Sequence, residues 1–305
     1  MSKQIEMEAE GISSPSSIDT RLSYSSASLL KNCEQKYHYH KVSKVPKDKD
    51  AAARDNSHFA IGKSFHYILE TTLHEKPENI SDLLDTCVQV EGLKEEDRGL
   101  VHAMVLSYLR LRKGSRIKVV GCEWSITHEH IIGFVDAIEV DTETGDFYIS
   151  DLKTAATFYD SKLAELPSDT QLNLYASFYR EIAEHYNLDP DKFKGVRYLV
   201  TTKSKAKQQA REDYSGYVMR MVDKKLVKSI FVTIPKEMMR IDKVRKEHEE
   251  LHDKSMKLRS GEIKPSKNFT YCNAFFKSCD FFSRCHGAQN SEIMENASIV
   301  IERTK

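Results

Sequence analysis

"GFVDAIEVDTETGDFYISDLKT", Gly133 to Thr154, holds two apolar, strand-like stretches joined by a polar turn. Each carries an Asp where a core strand would take an apolar residue: Asp136 in the first, Asp151 in the second. Lys153 follows two positions after the second Asp. In the turn "TETGD", Gly145 is free to take positive φ, as a hairpin connection needs. A buried carboxylate is costly unless it is paired or bound to a cation. Two of them near the ends of adjacent strands can reach one divalent ion, and oxygen ligands of this kind suit Mg²⁺ or Mn²⁺. Residues two apart on a strand share a face, so Lys153 points the same way as Asp151. An ammonium there can orient and polarise an attacking water. The backbone carbonyl of Leu152, between them, is a further candidate ligand. The plain alternative is a surface hairpin with an Asp–Lys pair, because D-x-K is a short and common pattern.

Outward from this hairpin, the chain alternates helical and strand-like signals. "YSSASLLKNCEQKYHYHKV" reads as one capped helix, with Ser25 or Ser26 as N-cap and Leu29, Leu30, Cys33 and Tyr37 at helical spacing. "HFAIGKSFHYILETTLHE" is a second, with Phe59, Phe65, Ile68, Leu69 and Leu73 on its apolar face. A third runs over about Glu95 to Lys113. Strands are expected at Ile117 to Thr127, Ile131 to Val140 and Phe147 to Leu152. A helix over "SDTQLNLYASFYREIAEHY", capped by Ser168, leads to the β-branched strand Val196 to Thr202. Strand, helix and strand in succession suggest a right-handed crossover. Two amphipathic helices then follow, about Gly216 to Val232 and Lys236 to Ser260. "GKS" at Gly62 to Ser64 is no phosphate loop, since Ser57 stands where the earlier Gly is required and no buried strand leads in.

With 305 residues, the chain can bury a real core. Lys+Arg and Asp+Glu are both 46, for a formal net charge of +0. Global charge does not mark a nucleic-acid binder, nor exclude one, because affinity for phosphate depends on a local basic surface. "TTKSKAKQQAR", Thr201 to Arg211, is such a stretch, although basic surface loops are common. No apolar run is long enough to span a bilayer and no signal-peptide pattern opens the chain, so no membrane partner and a cytoplasmic location are expected. In a reducing compartment the 6 Cys stay unpaired as disulfides.

Four short motifs then line up. They are Gly62-Lys63-Ser64-Phe65-His66, Gly133-Phe134-Val135-Asp136, Asp151-Leu152-Lys153-Thr154 and Gln171-Leu172-Asn173-Leu174-Tyr175. In this order, on helix, strand, strand and helix, they resemble the PD-(D/E)XK nuclease superfamily, in particular its RecB-like branch with Cas4-like and phage-encoded members. The resemblance extends from about Ser23 to Cys285. It implies an α/β, restriction-endonuclease-like core: a central mixed β-sheet flanked by helices. The expected layout is a disordered tail over 1–21, a single RecB-like nuclease domain over 22–286 and a polar tail over 287–305.

For the residues, the resemblance implies catalytic roles for Asp136, Asp151, Lys153, Gln171 and Tyr175. It implies metal ligation by His66, Asp136, Asp151 and the Leu152 carbonyl. A lone His66 among apolar neighbours is otherwise a satisfied core histidine, and Gln171 and Tyr175, one turn apart, otherwise belong to an ordinary amphipathic helix. Iron–sulfur members of the branch use one N-terminal and three C-terminal cysteines. Cys33, Cys272, Cys279 and Cys285 match that arrangement, spaced C-x6-C and C-x5-C at the C-terminal end, and would join the two end segments around a [4Fe–4S] cluster. Zn²⁺ is the alternative, and plain buried thiols the third reading. Phe275, Phe276, Phe281 and Phe282 would shield a cluster or serve a core. Cys87 and Cys122 look like packing residues.

The activity this implies is a Mg²⁺- or Mn²⁺-dependent deoxyribonuclease, with exonuclease preferred to endonuclease. The role is Cas4-like trimming or phage recombination and DNA processing, in the host cytoplasm if phage-encoded. Its partner is DNA, single-stranded or with free ends. A helicase or a recombination or CRISPR-adaptation protein would be a separate chain. The other class is a non-catalytic DNA-binding or scaffolding module of a nuclease–helicase assembly. Oligomeric state is not legible.

Overall fold

The computed structural model describes residues 19–48, 57–272 and 278–287. The expected N-terminal tail up to residue 18, the polar tail from residue 288, and Phe275 and Phe276 lie outside the described residues.

The first helix, α1 (Tyr24–Asn32), is capped by Ser23, whose hydroxyl accepts from the Ser26 amide at 3.2 Å. This corrects the expected caps, Ser25 and Ser26, which are already inside the helix; Ser23 has the extended backbone a cap requires. The expected single helix also breaks at Cys33, which is extended (φ −161°, ψ 110°). It resumes as α2 (Glu34–Tyr37) and a π-helical turn, His38–Val42. The next helix, α3 (Ser57–Thr71), buries Ile61, Phe65, Ile68 and Leu69. Phe59, in its first turn, and Leu73, beyond its end, are exposed instead. Gly62 to Ser64 lie inside α3, not in a loop. Two further helices are α4 (Ile80–Val90), which sequence reading missed, and α5 (Arg98–Arg112).

Three strands follow: β1 (Ile117–Thr127), β2 (Ile132–Asp141) and β3 (Phe147–Ala155). Gly145 takes φ +73° in the turn between the last two. The crossover holds α6 (Asp160–Ala164), α7 (Thr170–Ala176) and α8 (Tyr179–His185). Asp169, not Ser168, caps α7, accepting from the Leu172 amide at 3.0 Å; the Ser168 hydroxyl donates to the Glu165 carbonyl. Phe178 leaves helical geometry and is buried, so one expected helix becomes two. Then come β4 (Phe193–Thr202), α9 (Tyr214–Asp223), β5 (Ser229–Pro235), α10 (Ile241–Ser260) and α11 (Phe282–His286). The helix expected to reach Val232 stops at Asp223. Lys225 turns the chain at φ +53°, and the β-branched run beyond it pairs with β4.

Among the described residues one sheet has five strands in the order β1-β2-β3-β4-β5. Only β3 and β4 run parallel in it, as the helical crossover between them requires. This is the mixed α/β sheet expected. One face packs against α3, α4, α5 and α9 through Phe65, Met104, Tyr108, Leu152, Leu199 and Met221. The other packs against α7, α8 and the start of α10 through Ile138, Ile149, Leu174, Ile182, Val196 and Val244. A third cluster, Leu22, Ala27, Leu30, Tyr37 and Leu258, fastens the N-terminal helices to α10. No helix among the described residues is long and apolar enough to cross a membrane.

Inside the first core, buried His74 is hydrogen-bonded to the Tyr108 hydroxyl. Burial pulls its pKa down to about 4, with Arg112 adding to this and Glu139 opposing. The unfolded chain therefore binds a proton on this ring from about pH 6.5 down while the native chain does so only near 4, so acidification across that window favours unfolding. Between pH 7 and 5 this ring accounts for a loss of about 2 kcal/mol. His74→Gln, compared with the parent by urea unfolding at both pH values, is expected to lack that share of the loss.

Candidate active site

The site lies beside α3 where the pairing of β2 with β3 ends, one residue beyond the Ala137–Ser150 pair; both Asp residues are mid-strand rather than at the strand ends expected. Asp136 and Asp151 come from these strands and His66 from the helix. Helix and strand approach closely because Gly62 has no side chain: a Cβ there would stand 3.1 Å from Thr154 Oγ1. Gly133 serves similarly at the start of the second motif, where a Cβ would lie 3.3 Å from the Tyr175 ring. The two motif glycines are thus the contact points that bring His66 and Tyr175 towards the paired strands.

Asp136 Oδ2 accepts from the Leu152 amide at 2.6 Å, which fixes its carboxylate against β3. Asp136 Oδ1 lies 3.7 Å from His66 Nδ1, too far for a hydrogen bond. Asp151 is 1% exposed, and its Oδ1 accepts from Lys153 Nζ at 2.7 Å. Asp151 Oδ2 is buried without a hydrogen-bond partner. Gln171 Nε2 donates to the Tyr175 hydroxyl at 3.1 Å, and Tyr175 lies close enough to feel Asp151, Lys153 and Asp136. All six motif side chains are therefore brought to one region.

The electrostatics are those of a crowded, desolvated site. Burial raises the Asp136 carboxyl, with Lys153 opposing. Burial also pushes Asp151 up to about 6; Lys153 opposes that rise and Asp136 adds to it. Burial, and after it Lys153, pulls His66 down to about 4, leaving a neutral imidazole able to ligate a metal. For Lys153, burial favours loss of the proton, but Asp151 and Asp136 outweigh it and hold the ammonium charged. Asp136 and the neutral His66 imidazole stand at ligand spacing, while the orphaned Asp151 oxygen does not lie within 4.8 Å of both; carboxylate oxygens with an imidazole nitrogen are a donor set that fits a divalent cation.

One member of this constellation escaped the sequence reading. Glu123 on β1 offers a carboxylate oxygen that, with His66 and Asp136, forms a trio of candidate ligand atoms all within 4.8 Å of one another. Burial, then Asp136 and Glu70, push its pKa up to about 7. The register pairing Cys122 with Ala137 and Trp124 with Val135 sets Glu123 opposite Asp136, and no sequence signal announces that register. Tyr198, paired with Asp151 across β3 and β4, was not singled out either.

The family model of the PD-(D/E)XK nuclease superfamily matches residues 21–286. The chain belongs to this superfamily. Its activity class is accordingly that of a metal-dependent nuclease, and the mixed sheet is the superfamily's restriction-endonuclease-like core. Among the curated proteins, none matches the chain.

A second cluster lies far from these strands in sequence. Cys33, Cys272, Cys279 and Cys285 line one pocket with Tyr39, Lys267 and Phe281. Burial, followed by the neighbouring thiols, raises the Cys272 pKa. The two end segments are tied by other bonds as well. The Asn268 side chain donates to the Asn32 carbonyl at 2.9 Å, and the Asp48 amide to the Asp280 carbonyl at 2.8 Å.

Proposed function

We propose that the protein is a Mg²⁺- or Mn²⁺-dependent deoxyribonuclease of the RecB-like, Cas4-like type, acting on DNA ends, single-stranded or free, in trimming or recombination. The observation that carries this reading is the gathering of His66, Asp136, Asp151 and Lys153 where the β2–β3 pairing ends, with Asp151 Oδ2 left without a partner. His66, Asp136, Asp151 and the Leu152 carbonyl would hold the cation. When bound, it supplies Lewis-acid stabilisation of charge on the phosphodiester. Lys153, held by Asp151, presents a fixed ammonium to a water and to the charge that develops on phosphate oxygens. Gln171 and Tyr175 would position the DNA backbone beside it. The basic stretch after β4 is tied to two elements that carry the site: the Lys203 amide donates to the Ala155 carbonyl at the end of β3, and the Lys203 ammonium to the His58 carbonyl of α3. Beyond it, Lys205, Lys207 and Arg211 are exposed and available to phosphates.

The test is digestion of end-labelled single- and double-stranded DNA with Mg²⁺ or Mn²⁺ against a chelator control. Asp136→Asn and Asp151→Asn are expected to lose cleavage at low metal while remaining folded, since removing a carboxylate relieves repulsion in the metal-free site. Normal cutting by both at low Mg²⁺ would refute the ligand assignment. DNA binding without cleavage by the parent protein would favour a scaffolding module instead.

In this reading Cys33, Cys272, Cys279 and Cys285 would hold a [4Fe–4S] cluster, with Zn²⁺ as the alternative. Protein purified without oxygen is expected to be brown, with broad visible absorbance. Cys279→Ser is expected to bleach it and to speed proteolysis near the C-terminal end, because the ends would lose a shared anchor. Metal analysis finding neither iron nor zinc would leave four thiols and an unaltered nuclease site.

A further inference from the structure

The nuclease reading draws its ligands from α3, β2 and β3. We propose that β1 supplies another: Glu123 is a ligand of the same divalent cation, opposite the Asp151–Lys153 side of the site. The inference rests on the metal-centre reading above and adds to it a residue outside the four motifs.

Three observations lead there. First, candidate ligand atoms of His66, Glu123 and Asp136 lie within 4.8 Å of one another, and among the described residues no other His, Cys, Asp or Glu trio is so arranged. Two ligands at right angles around a Mg²⁺-sized ion, each at about 2.1 Å, stand about 3 Å apart, so small adjustments bring this trio onto one ion. The 3.7 Å between His66 Nδ1 and Asp136 Oδ1 is a spacing that a hydrogen bond would have shortened.

Second, Asp151 is committed on one side. Its Oδ1 holds Lys153, so only Oδ2 remains, buried and without a partner. Asp136 likewise spends Oδ2 on the Leu152 amide and keeps Oδ1 towards His66. One free oxygen from each Asp, one imidazole nitrogen and the Leu152 carbonyl make four donors, still short of the six of an octahedral Mg²⁺ or Mn²⁺ site. Glu123 is the carboxylate placed to add one.

Third, the backbone at Glu123 has φ +47°. Among the described residues it is the one non-glycine with positive φ inside a strand. The other non-glycine cases lie in turns or loops. A residue held in this region is sterically disfavoured and persists only where its surroundings impose it. Here the unusual backbone accompanies a side chain directed to the Asp136–His66 pair across the strand register.

The experiment is Mn²⁺ titration of the full chain after removal of metal by chelator, without DNA, following free Mn²⁺ by electron paramagnetic resonance. Glu123→Gln keeps the shape and removes the charge. Glu123→Gly removes the side chain and places at φ +47° the residue that tolerates it, so its metal-free thermal midpoint should hold or rise. Both are expected to bind Mn²⁺ at least about tenfold more weakly than the parent protein. Glu70→Gln is the control for general charge loss, since Glu70 is exposed, lies near enough to act on Glu123 and Asp136, and is outside the convergent trio. Its expected change is within roughly twofold. Parent-like Mn²⁺ affinity in both Glu123 variants would overturn the inference and leave the metal centre intact. A parent protein that binds no Mn²⁺ would overturn the metal centre, and the inference with it.

Discussion

Lys153→Ala is expected to abolish DNA cleavage while DNA binding persists. Lys153 Nζ lies 2.7 Å from Asp151 Oδ1, and the two carboxylates around it keep it charged despite burial. Removing it takes away the one ammonium held against the paired Asp residues. It also leaves Asp151 without its hydrogen-bonding partner. The expected loss is about 10²-fold or more in cleavage rate, or roughly 2.7 kcal/mol of barrier at about 1.36 kcal/mol per tenfold. Single-turnover digestion at saturating Mg²⁺ and protein measures it, with a filter-binding assay alongside in chelator. Cleavage near the parent rate would reject the role proposed for Lys153. Loss of binding in step with cleavage would instead make Lys153 a phosphate anchor.

The second large effect concerns stability. Glu139, 1% exposed on β2, accepts from Arg112 of α5, from Arg197 of β4 at 2.8 Å and from the Ser150 hydroxyl of β3 at 2.5 Å. Burial would raise its carboxyl, but Arg197 and Arg112 outweigh burial and hold it below the usual range. Arg197 also lies 4.0 Å from the centre of the Phe231 ring on β5. One carboxylate thus joins three adjacent strands to the helix that covers them. Glu139→Ala strands two nearly buried guanidinium groups, a loss of about 3–5 kcal/mol. Urea unfolding at neutral pH should show it as a lower midpoint with little change in slope. A loss under about 1 kcal/mol would mean that the arginines regain solvent without cost. Because the folded carboxyl titrates below its unfolded value, this contribution is present at neutral pH and fades as pH falls through the folded pKa.

Much of the fold was legible because its signals are local. β-branched runs, the Gly145 turn and the four spaced motifs depend on residues a few positions apart, and β1 to β3 are found close to where they were expected. The misreadings cluster where neighbours in space decide. "SIFV", Ser229 to Val232, was read as the end of a helix, but pairing with β4 makes it a strand. Ser168 and Asp169 are both good caps in isolation, and the one whose side chain reaches the Leu172 amide wins. Phe59 and Leu73 match a helical stripe, yet one lies in the first turn and the other past the helix end, so neither meets the core.

The site divides in the same way. Asp151 and Lys153 share a face by strand periodicity, and Gln171 and Tyr175 by helical periodicity. Those pairs follow from local periodicity alone. It took the packed chain to show that Gly62 lets α3 approach Thr154, that the Leu152 amide claims one oxygen of Asp136, that Glu123 joins His66, and that Cys33 lines one pocket with three cysteines distant in the chain. Backbone periodicity sets the direction of a side chain relative to its own element. Which groups then meet depends on strand register and on where helices find room to pack, and those are settled between residues far apart in the chain.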